Sequence, residues 1–424
     1  MDFQQELIER FFRYVKMDTQ SKEGVDESYP STASQLELGR LLVQELSDLG
    51  CEEVELDPHG YVTATCPANL PPNHDRESVP VVGLFAHMDT YPAVSGRDVK
   101  PILHKNYAGG EIRLPGLPDK PIRPEENPDL ARYVGEDIIT SDGTTLLGAD
   151  DKAGIAEIMT LLRRYQKDRS LLHPTLRIAF TPDEEVGNGT KFFDAKTFGA
   201  EVAYTMDGSG MGEVEDETFC ADSAIITIKG VDVHPGYAKD KMVNAVRLAS
   251  WFVEQFPGQS LPETTEARQS YLHPYQITGN VSEAKITALV RSFTEDGLAE
   301  MENILKEIQK KLQQKEPRAE VHLQINPSYR NMKIVLDHHP LVVQHAEEAV
   351  QRCGLTPKRT SIRGGTDGAR LSFSNLPTPN LSAGGYNFHS RQEWVPVNAM
   401  VKAVEMLTAL MTIWVEKGRG RPRA

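Results

Sequence analysis

The sequence predicts an α/β protein in which a central sheet is flanked by helices, with a smaller α+β domain inserted into the chain. Two observations lead to this class. In the first half, short and almost continuously apolar runs alternate with segments of helical periodicity, as in strands that are buried on both faces of a sheet. From about Thr218 the pattern changes to strand, helix, two strands, helix and strand.

The elements of the first half follow in chain order. Helical periodicity covers residues 1–17 and 34–49, and residues 53–66 alternate like two paired strands. Buried strands are predicted at 79–86, 176–181 and 202–206, and a helix at 155–165. The segment 101–137 is rich in Pro and Gly and predicts an irregular insertion.

The middle of the chain predicts a βαββαβ unit. Its strands are expected at 224–230, 276–292 and 320–325, and its helices at 243–256 and 298–314. The α/β pattern then resumes with a helix at 340–353 and a strand at 380–383. We therefore expect one domain formed by 1–216 and 330–424, and an inserted domain formed by 217–329.

Composition narrows the class of protein. A length of 424 residues suggests about two domains. The net charge of -15 argues against nucleic acid or an anionic membrane as a partner. Four widely spaced cysteines indicate neither a disulfide framework nor a thiolate zinc site, and no apolar run approaches membrane-spanning length. A soluble cytoplasmic protein is expected.

Polar residues stand just beyond four apolar strands. They are His87 and Asp89, Glu184 and Glu185, Asp207, and His389. Because the carboxyl ends of strands in an open α/β sheet line one crevice, these residues are expected to meet. A set of histidines and carboxylates without thiolate suits zinc, or a similar divalent ion such as manganese or cobalt.

Asp150 stands where a loop becomes a helix, and taken alone it is most simply a helix cap. Counted with Glu185 and Asp207, it supplies a third negative charge beside the neutral His87 and His389. Two divalent cations and one bridging hydroxide would leave such a set close to neutral. Without metal, the three carboxylates would repel by roughly several kcal/mol even at an effective dielectric of about 20.

At these residues the chain resembles a known family, the dinuclear zinc aminopeptidases, carboxypeptidases and deacylases. The resemblance extends from Asp18 to His389 and so covers nearly the whole chain. The motifs that carry it are HMDT (87–90), GADDKAG (148–154), TPDEEVG (181–187), DG (207–208), HPG (234–236) and RGGTDGA (363–369).

The resemblance implies a role for each site residue. Asp150 would bridge two divalent metal ions, with His87 and Asp207 completing one position and Glu185 and His389 the other. Asp89 would orient His87, Glu184 would be the general base, and the Asp150-Asp151 peptide would be cis. His234 would donate to the oxyanion, and Arg363, Arg291 and Asn244 would bind substrate.

The resemblance also implies the fold and the activity. It predicts a catalytic domain with a central mixed sheet and an inserted βαββαβ lid or dimerisation domain, in a homodimer. The reaction would be hydrolysis of the N-terminal residue from tripeptides by a water bridging two metal ions, with zinc as the expected metal and cobalt or manganese as alternatives.

Several alternatives stay open. The same site could serve a dipeptidase or an N-acyl amino acid deacylase, or a metal-dependent binding protein without catalysis, although a binding protein has no need of Glu184. Arg363 could instead pair with a nearby Asp. Ser209, Tyr237 and Ser390 depart from the family pattern and affect the expected shape of the substrate pocket.

Overall fold

The computed structural model describes residues 3–25 and 27–419, which divide into two compact units. Within the described residues, the first unit comprises 3–216, 335–360 and 366–419. The second unit comprises Glu217–Ile334 and Ser361–Gly365. The expected inserted range of 217–329 therefore differs from the second unit, which also takes in residues 330–334 and 361–365.

Helices alternate with strands through most of the first unit. The helices of the described residues are α1 (Phe3–Val15), α2 (Gln35–Asp48), α3 (Ala149–Lys167), α4 (Ala195–Phe198), α5 (Ala245–Glu254), α6 (Glu295–Lys315), α7 (Lys333–Leu336), α8 (Pro340–Arg352), α9 (Asp367–Phe373) and α10 (Val397–Lys417).

The strands form three sheets. They are β1 (Glu52–Leu56), β2 (Val62–Cys66), β3 (Val82–His87), β4 (Ile102–His104), β5 (Ile138–Thr140), β6 (Leu176–Thr181), β7 (Val202–Gly208), β8 (Glu213–Thr218), β9 (Cys220–Lys229), β10 (Tyr271–Gly279), β11 (Glu283–Ser292), β12 (Glu320–Pro327), β13 (Lys358–Ile362), β14 (Asn380–Ser382) and β15 (Trp394–Pro396).

The large sheet is mixed, as expected, with the order β1-β2-β6-β3-β7-β14-β8-β13. Its centre is parallel: β3 pairs with β6 and β7, and β14 pairs with β7, all in the same direction. Every residue of β3 is buried, which is why its sequence is a continuous apolar run rather than an alternating one. The parallel direction brings the carboxyl ends of these strands to one edge.

Helix α3 packs closely on this sheet because it has a glycine at the contact. A Cβ added to Gly154 would lie only 2.4 Å from the carbonyl oxygen of Met206, on β7. Any larger side chain would push the helix away from the strand. The first turn of α3 is therefore held at a fixed distance from the end of β7.

The segment 101–137, predicted to be irregular, contributes to a small sheet of its own. Strands β4, β5 and β15 pair antiparallel in the order β15-β5-β4. Trp394 and Tyr133 are buried in the cluster beneath it. The sequence missed this sheet because its strands are only three residues long, too short to show a period.

The sequence analysis also missed α10, the long C-terminal helix. Over Val397–Lys417 it is long and apolar enough to cross a membrane by length and composition, so the statement that no apolar run approaches that length was wrong. Most of its apolar stretch is buried, including Leu407, Leu410 and Trp414. Those side chains contribute to the core of the first unit.

The second unit has the predicted βαββαβ order, β9-α5-β10-β11-α6-β12. Its four strands form an antiparallel sheet in the order β10-β11-β9-β12. Helices α5 and α6 bury Ala249, Phe252, Leu305 and Leu312 in one apolar cluster with the sheet. This unit has a hydrophobic core of its own.

Candidate metal centre

Five segments of the first unit come close together and present polar side chains. His87 is the last residue of β3 and pairs in register with Thr181, the last residue of β6. Glu185 lies in the 3-10 turn that follows β6, and Asp207 lies near the end of β7. Asp150 lies at the start of α3, and His389 in the loop between β14 and β15.

The two carboxylate oxygens of Asp150 face different histidines. Its Oδ1 lies 2.8 Å from His87 Nε2, and its Oδ2 lies 3.1 Å from His389 Nε2. His389 Nε2 is also 2.9 Å from Glu185 Oε2, and His87 Nε2 is 3.6 Å from Asp207 Oδ1. The structure thus brings all five predicted ligands together, with Asp150 between two groups.

Burial and the neighbouring charges strongly shift the pKa values of the residues in this cluster. Burial raises the pKa of Asp207 to about 7, helped by the charge of Asp150, and burial raises the pKa of Glu185 to about 8. Burial lowers the pKa of His389, but the carboxylates of Asp150 and Glu185 outweigh it and raise that pKa to about 10. Without a cation, the cluster therefore holds protons at neutral pH.

The donor set fits divalent cations. Ligand atoms of His87, Asp150 and Glu185 lie within 4.8 Å of one another, as do those of His87, Asp151 and Asp207. The Glu185 Oε1 atom is buried and has no hydrogen-bond partner among the described residues. Buried carboxylates at this spacing repel each other unless protons or cations neutralise them, and imidazole with carboxylate suits zinc, manganese or cobalt.

Asp150 is not the helix cap that a single Asp before a helix predicts. Its backbone is non-helical, and the peptide bond to Asp151 is cis, as the resemblance implies. Asp151 takes the capping role instead, since its Oδ1 accepts from Gly154 N at 3.2 Å and its Oδ2 from His87 N at 3.1 Å. Both carboxylate oxygens of Asp150 remain available to the cluster.

Asp89 connects two strand ends. Its carboxylate accepts from the backbone N–H groups of Glu184 at 2.9 Å and Glu185 at 3.1 Å. The Nδ1 atom of His87 lies 3.1 Å from the backbone carbonyl of Asp89 and 3.5 Å from its carboxylate. The orientation of His87 therefore depends on the backbone of residue 89 as well as on the side chain.

Glu184 is half-buried beside the cluster. Burial raises its pKa well above the ordinary value, and the negative charge of Asp207 adds to the rise. Within residues 3–25 and 27–419, no hydrogen bond to its carboxylate is found. An otherwise uncommitted carboxylate next to a candidate metal pair is available for proton transfer.

Three supporting residues were missed by the sequence analysis. Glu393 is buried and accepts from four backbone N–H groups of the loop that ends in Asp150. Asn380 accepts from Asp207 N at 3.0 Å, and the ring of Tyr91 stacks on that of His389 at 4.1 Å. None of the three lies in a recognised motif or directly after a predicted strand, so the sequence carries no signal for them.

The other predicted site residues belong to the second unit. His234 is exposed, and its Nδ1 accepts from Gly236 N at 3.1 Å, so the hydrogen of the neutral ring is on Nε2. Asn244 caps α5, since its Oδ1 accepts from Arg247 N at 3.2 Å. Arg291 donates to the carbonyl of Asp222 at 3.0 Å.

Arg363 is already engaged inside the second unit, but not with an Asp. Its Nη1 donates to the carbonyls of Ala267 at 2.6 Å and Gln269 at 3.2 Å, and its Nη2 donates to Thr265 Oγ1 at 3.0 Å. These contacts place residue 363 with a unit far from it in sequence. They also hold the guanidinium in one orientation.

One of the three departures from the family pattern has a local explanation. At residue 209 the backbone carbonyl accepts from Ser382 Oγ at 2.7 Å, a contact that a glycine could also make, so it does not explain the serine. Ser390 Oγ donates to Asn387 O at 2.7 Å within the loop that carries His389. Tyr237 is 74% exposed beside the ring of His234, and no contact within the second unit explains it.

Comparison with known proteins gives a consistent result. A model of peptidase family M20/M25/M40 matches residues 142–413. The chain is 46% identical over 413 residues to Peptidase T of Geobacillus kaustophilus strain HTA426, covering 97% of this chain and 99% of that protein.

Solved structures share the fold. The aminopeptidase PepT from Bacillus cereus ATCC 10987 superposes with a TM-score of 0.74 at 24% identity, covering 98% of this chain and 99% of the other. A tripeptidase from Staphylococcus aureus subsp. aureus Mu50 gives a TM-score of 0.74 at 21% identity, with 97% and 99% covered.

Proposed function

Since the chain belongs to peptidase family M20/M25/M40, we propose that it is a metal-dependent aminopeptidase that releases the N-terminal residue of tripeptides. Its similarity to Peptidase T extends over nearly the full length of both chains. A relative of the same fold is called a tripeptidase. Small peptides are therefore the substrates.

One observation carries the proposal. Asp150 divides its two oxygens between His87 and His389, at 2.8 and 3.1 Å, with Asp207 and Glu185 beside them. A carboxylate between two histidine-carboxylate groups suits a pair of adjacent cations. This geometry supports metal-dependent hydrolysis, and the similarity to Peptidase T supports the tripeptide substrate.

Two divalent ions fit this set, one held by His87, Asp207 and Asp150 and the other by Asp150, Glu185 and His389. When bound, such ions supply Lewis acidity that polarises the scissile carbonyl and makes hydroxide available near neutral pH. We propose zinc, with cobalt or manganese as substitutes, because the donors are nitrogen and oxygen without thiolate.

The chain's own residues then manage the protons. Glu184 accepts a proton from the attacking water and returns it to the leaving amine. Burial and the charge of Asp207 raise its pKa above the ordinary value, which favours holding the proton between the two transfers. Asp89 acts by position, because it joins the backbone of Glu184 and Glu185 to the end of β3.

Substrate contacts are proposed from the second unit. His234 has its hydrogen on Nε2 and so can donate to a developing oxyanion. Arg363 is the proposed partner of the peptide carboxylate, with Arg291 and Asn244 as secondary contacts. In this proposal the second unit is the lid or dimerisation domain that the resemblance implies, and Arg363 measures peptide length.

The test is mass spectrometry of the products after metal-loaded protein meets an equimolar mixture of a dipeptide, a tripeptide, a tetrapeptide and an N-acetylated tripeptide. We expect loss of one N-terminal residue from the free tripeptide alone. Cleavage of the dipeptide would instead indicate a dipeptidase, and release of acetate a deacylase. No hydrolysis with both ions bound would indicate a binding protein.

A cytoplasmic homodimer without nucleic-acid or membrane partners is also proposed. The acidic net charge supports the absence of anionic partners, and the family resemblance supports the dimer. Light scattering on the purified full chain tests the dimer, since a monomeric mass at working concentrations would refute it.

A further inference from the structure

The carboxylate of Glu393 binds a whole loop rather than a single group. Its Oε2 accepts from the N–H groups of Leu147 at 2.8 Å and Gly148 at 2.9 Å. Its Oε1 accepts from Ala149 at 2.6 Å and Asp150 at 3.2 Å. Four consecutive backbone donors, just where α3 begins, therefore share one acceptor.

This carboxylate is well suited to fix the loop. Glu393 is only 1% exposed, and its carboxyl group offers two acceptor oxygens to these donors. The first N–H groups of a helix have no partner inside it, and Gly148, the residue just before α3, has no side chain to supply one. Its φ of 82° also suits glycine.

Glu393 belongs to the loop that carries His389. Tyr386 and Trp394 close this loop by exchanging two backbone hydrogen bonds, of 2.9 and 3.1 Å. Inside it, Glu393 N donates to Ser390 O at 3.4 Å. The side chain of Glu393 thus joins the loop of His389 to the loop of Asp150.

The other histidine depends on a different support. His87 lies on β3 and Asp207 on β7, and both strands are paired in the centre of the large sheet. Neither needs Glu393 to hold its place. Glu393 therefore supports one of the three ligands of the His87 position, Asp150, but two of the three ligands of the other position, Asp150 and His389.

We propose that Glu393 is a positioning residue that sets the separation between Asp150 and His389 and so controls binding of the metal ion held by Asp150, Glu185 and His389. The inference rests on the proposed function, because it assumes two metal positions. It assigns the two positions different main supports: the sheet holds two ligands of one, and Glu393 supports two ligands of the other.

The test is the Glu393→Gln variant. Its side chain keeps the same shape, but its amide nitrogen cannot accept, so two of the four N–H groups would face a donor. The metal-free full chain is titrated with Co²⁺ while the visible absorption spectrum is recorded. We expect one ion to bind about 10- to 100-fold more weakly than in wild type, which is the range for residues that orient metal ligands. The affinity for the other ion should stay within about threefold of the wild-type value.

Matched variants separate positioning from the general loss of a buried carboxyl group. Glu157→Gln removes another fully buried carboxylate of α3 that has no hydrogen-bond partner among the described residues. The Glu157→Gln variant should bind both Co²⁺ ions with wild-type affinity. Glu393→Asp keeps a carboxylate, so it should recover part of the lost affinity.

The affected position is identified by its spectrum. After one equivalent of Co²⁺, Glu393→Gln should match His389→Ala rather than His87→Ala. Equal weakening of both ions, wild-type affinity for both, or no recovery in Glu393→Asp would overturn the inference. If wild-type protein itself binds fewer than two ions, the proposed dinuclear function fails, which is a different result.

Discussion

At the residue scale, the candidate metal centre depends on leaving a few carboxylates free. Asp151 caps α3, and Glu393 accepts from four backbone N–H groups where the helix begins. The carboxylate of Asp150 is therefore not needed as an acceptor for these backbone groups. Glu184 likewise has no partner among the described side chains. The carboxylates for which we propose chemical roles are therefore those that accept no backbone hydrogen bonds.

The Glu184→Gln substitution tests this division at one atom. It removes the proton acceptor but keeps the size of the side chain. It removes no ligand atom of the proposed set. We expect kcat on a tripeptide to fall about 10²- to 10⁴-fold, the range for general acid-base catalysis. Metal content, measured by atomic emission, should stay at the wild-type value. Loss of metal in parallel with activity would contradict the assigned role.

Metal affinity should rise with pH. The pKa of His389 is raised to about 10 in the metal-free cluster, so below that pH an incoming ion must displace its proton. For each proton that the ion displaces, its affinity rises about tenfold when the pH rises by one unit. Zn²⁺ dissociation constants measured at about pH 6 and about pH 8 check this. An affinity that does not change between them would contradict the proton count.

At the element scale, the strand ends are held together by side chains that reach between strands. Asn380, on β14, accepts from Asp207 N and from Thr205 Oγ1, at 3.0 and 2.9 Å, on β7. Its Nδ2 donates to Glu215 on β8 at 2.6 Å. One amide therefore satisfies three buried groups and fixes the end of β7 that carries Asp207.

The Asn380→Ala substitution should destabilise the first unit. It leaves the buried partners of Asn380 unsatisfied, and each such group costs about 1 to 3 kcal/mol. The free energy of unfolding, from urea denaturation of the metal-free protein, should fall by at least that amount. Asn303→Ala, on an exposed face of α6, is the control and should change it by less than about 0.5 kcal/mol. Equal effects would contradict the argument.

At the scale of the whole molecule, the proposed chemistry is divided between two units with separate cores. The candidate metal ligands and Glu184 belong to the first unit, whereas His234, Arg291, Asn244 and Arg363 belong to the second. The proposed function needs both. Substitutions in the second unit should therefore change turnover or substrate affinity without changing metal content.

The His234→Ala substitution tests the contribution of the second unit to the transition state. Loss of one oxyanion donor lowers kcat about 10²- to 10³-fold, and we expect this with two metal ions still bound. His322→Ala removes an exposed histidine from β12 of the same unit and should keep wild-type turnover. Wild-type turnover in His234→Ala would remove the role.

The Arg363→Met substitution tests recognition of the peptide carboxylate. Hydrogen bonds to a charged group contribute about 1.5 to 3 kcal/mol, so KM for a tripeptide should rise about 10- to 100-fold. An aminoacyl amide without a carboxylate should be hydrolysed as before. Arg268→Met is the control, because Arg268 lies between the two residues whose carbonyls Arg363 contacts but itself pairs with Glu217. An equal loss on both substrates would indicate a structural role.

Most of the fold class could be predicted because it depends on local patterns. Continuous apolar runs indicated the buried parallel strands β3, β6 and β7, and the changed pattern after residue 218 indicated the βαββαβ unit. The three-residue strands of the small sheet gave no period. The helix α10 was missed although its sequence is apolar.

By itself, the sequence determined the family, the class of reaction and the residues that the structure brings together at the strand ends, because motif and strand-end position are local properties. Only the tertiary structure decided which acceptor each backbone N–H group has. Glu393 is 246 residues from Leu147, and Arg363 is 96 residues from Ala267. Hydrogen bonds between such distant segments leave no periodic pattern in a single sequence, since they depend on how the folded chain brings its loops together.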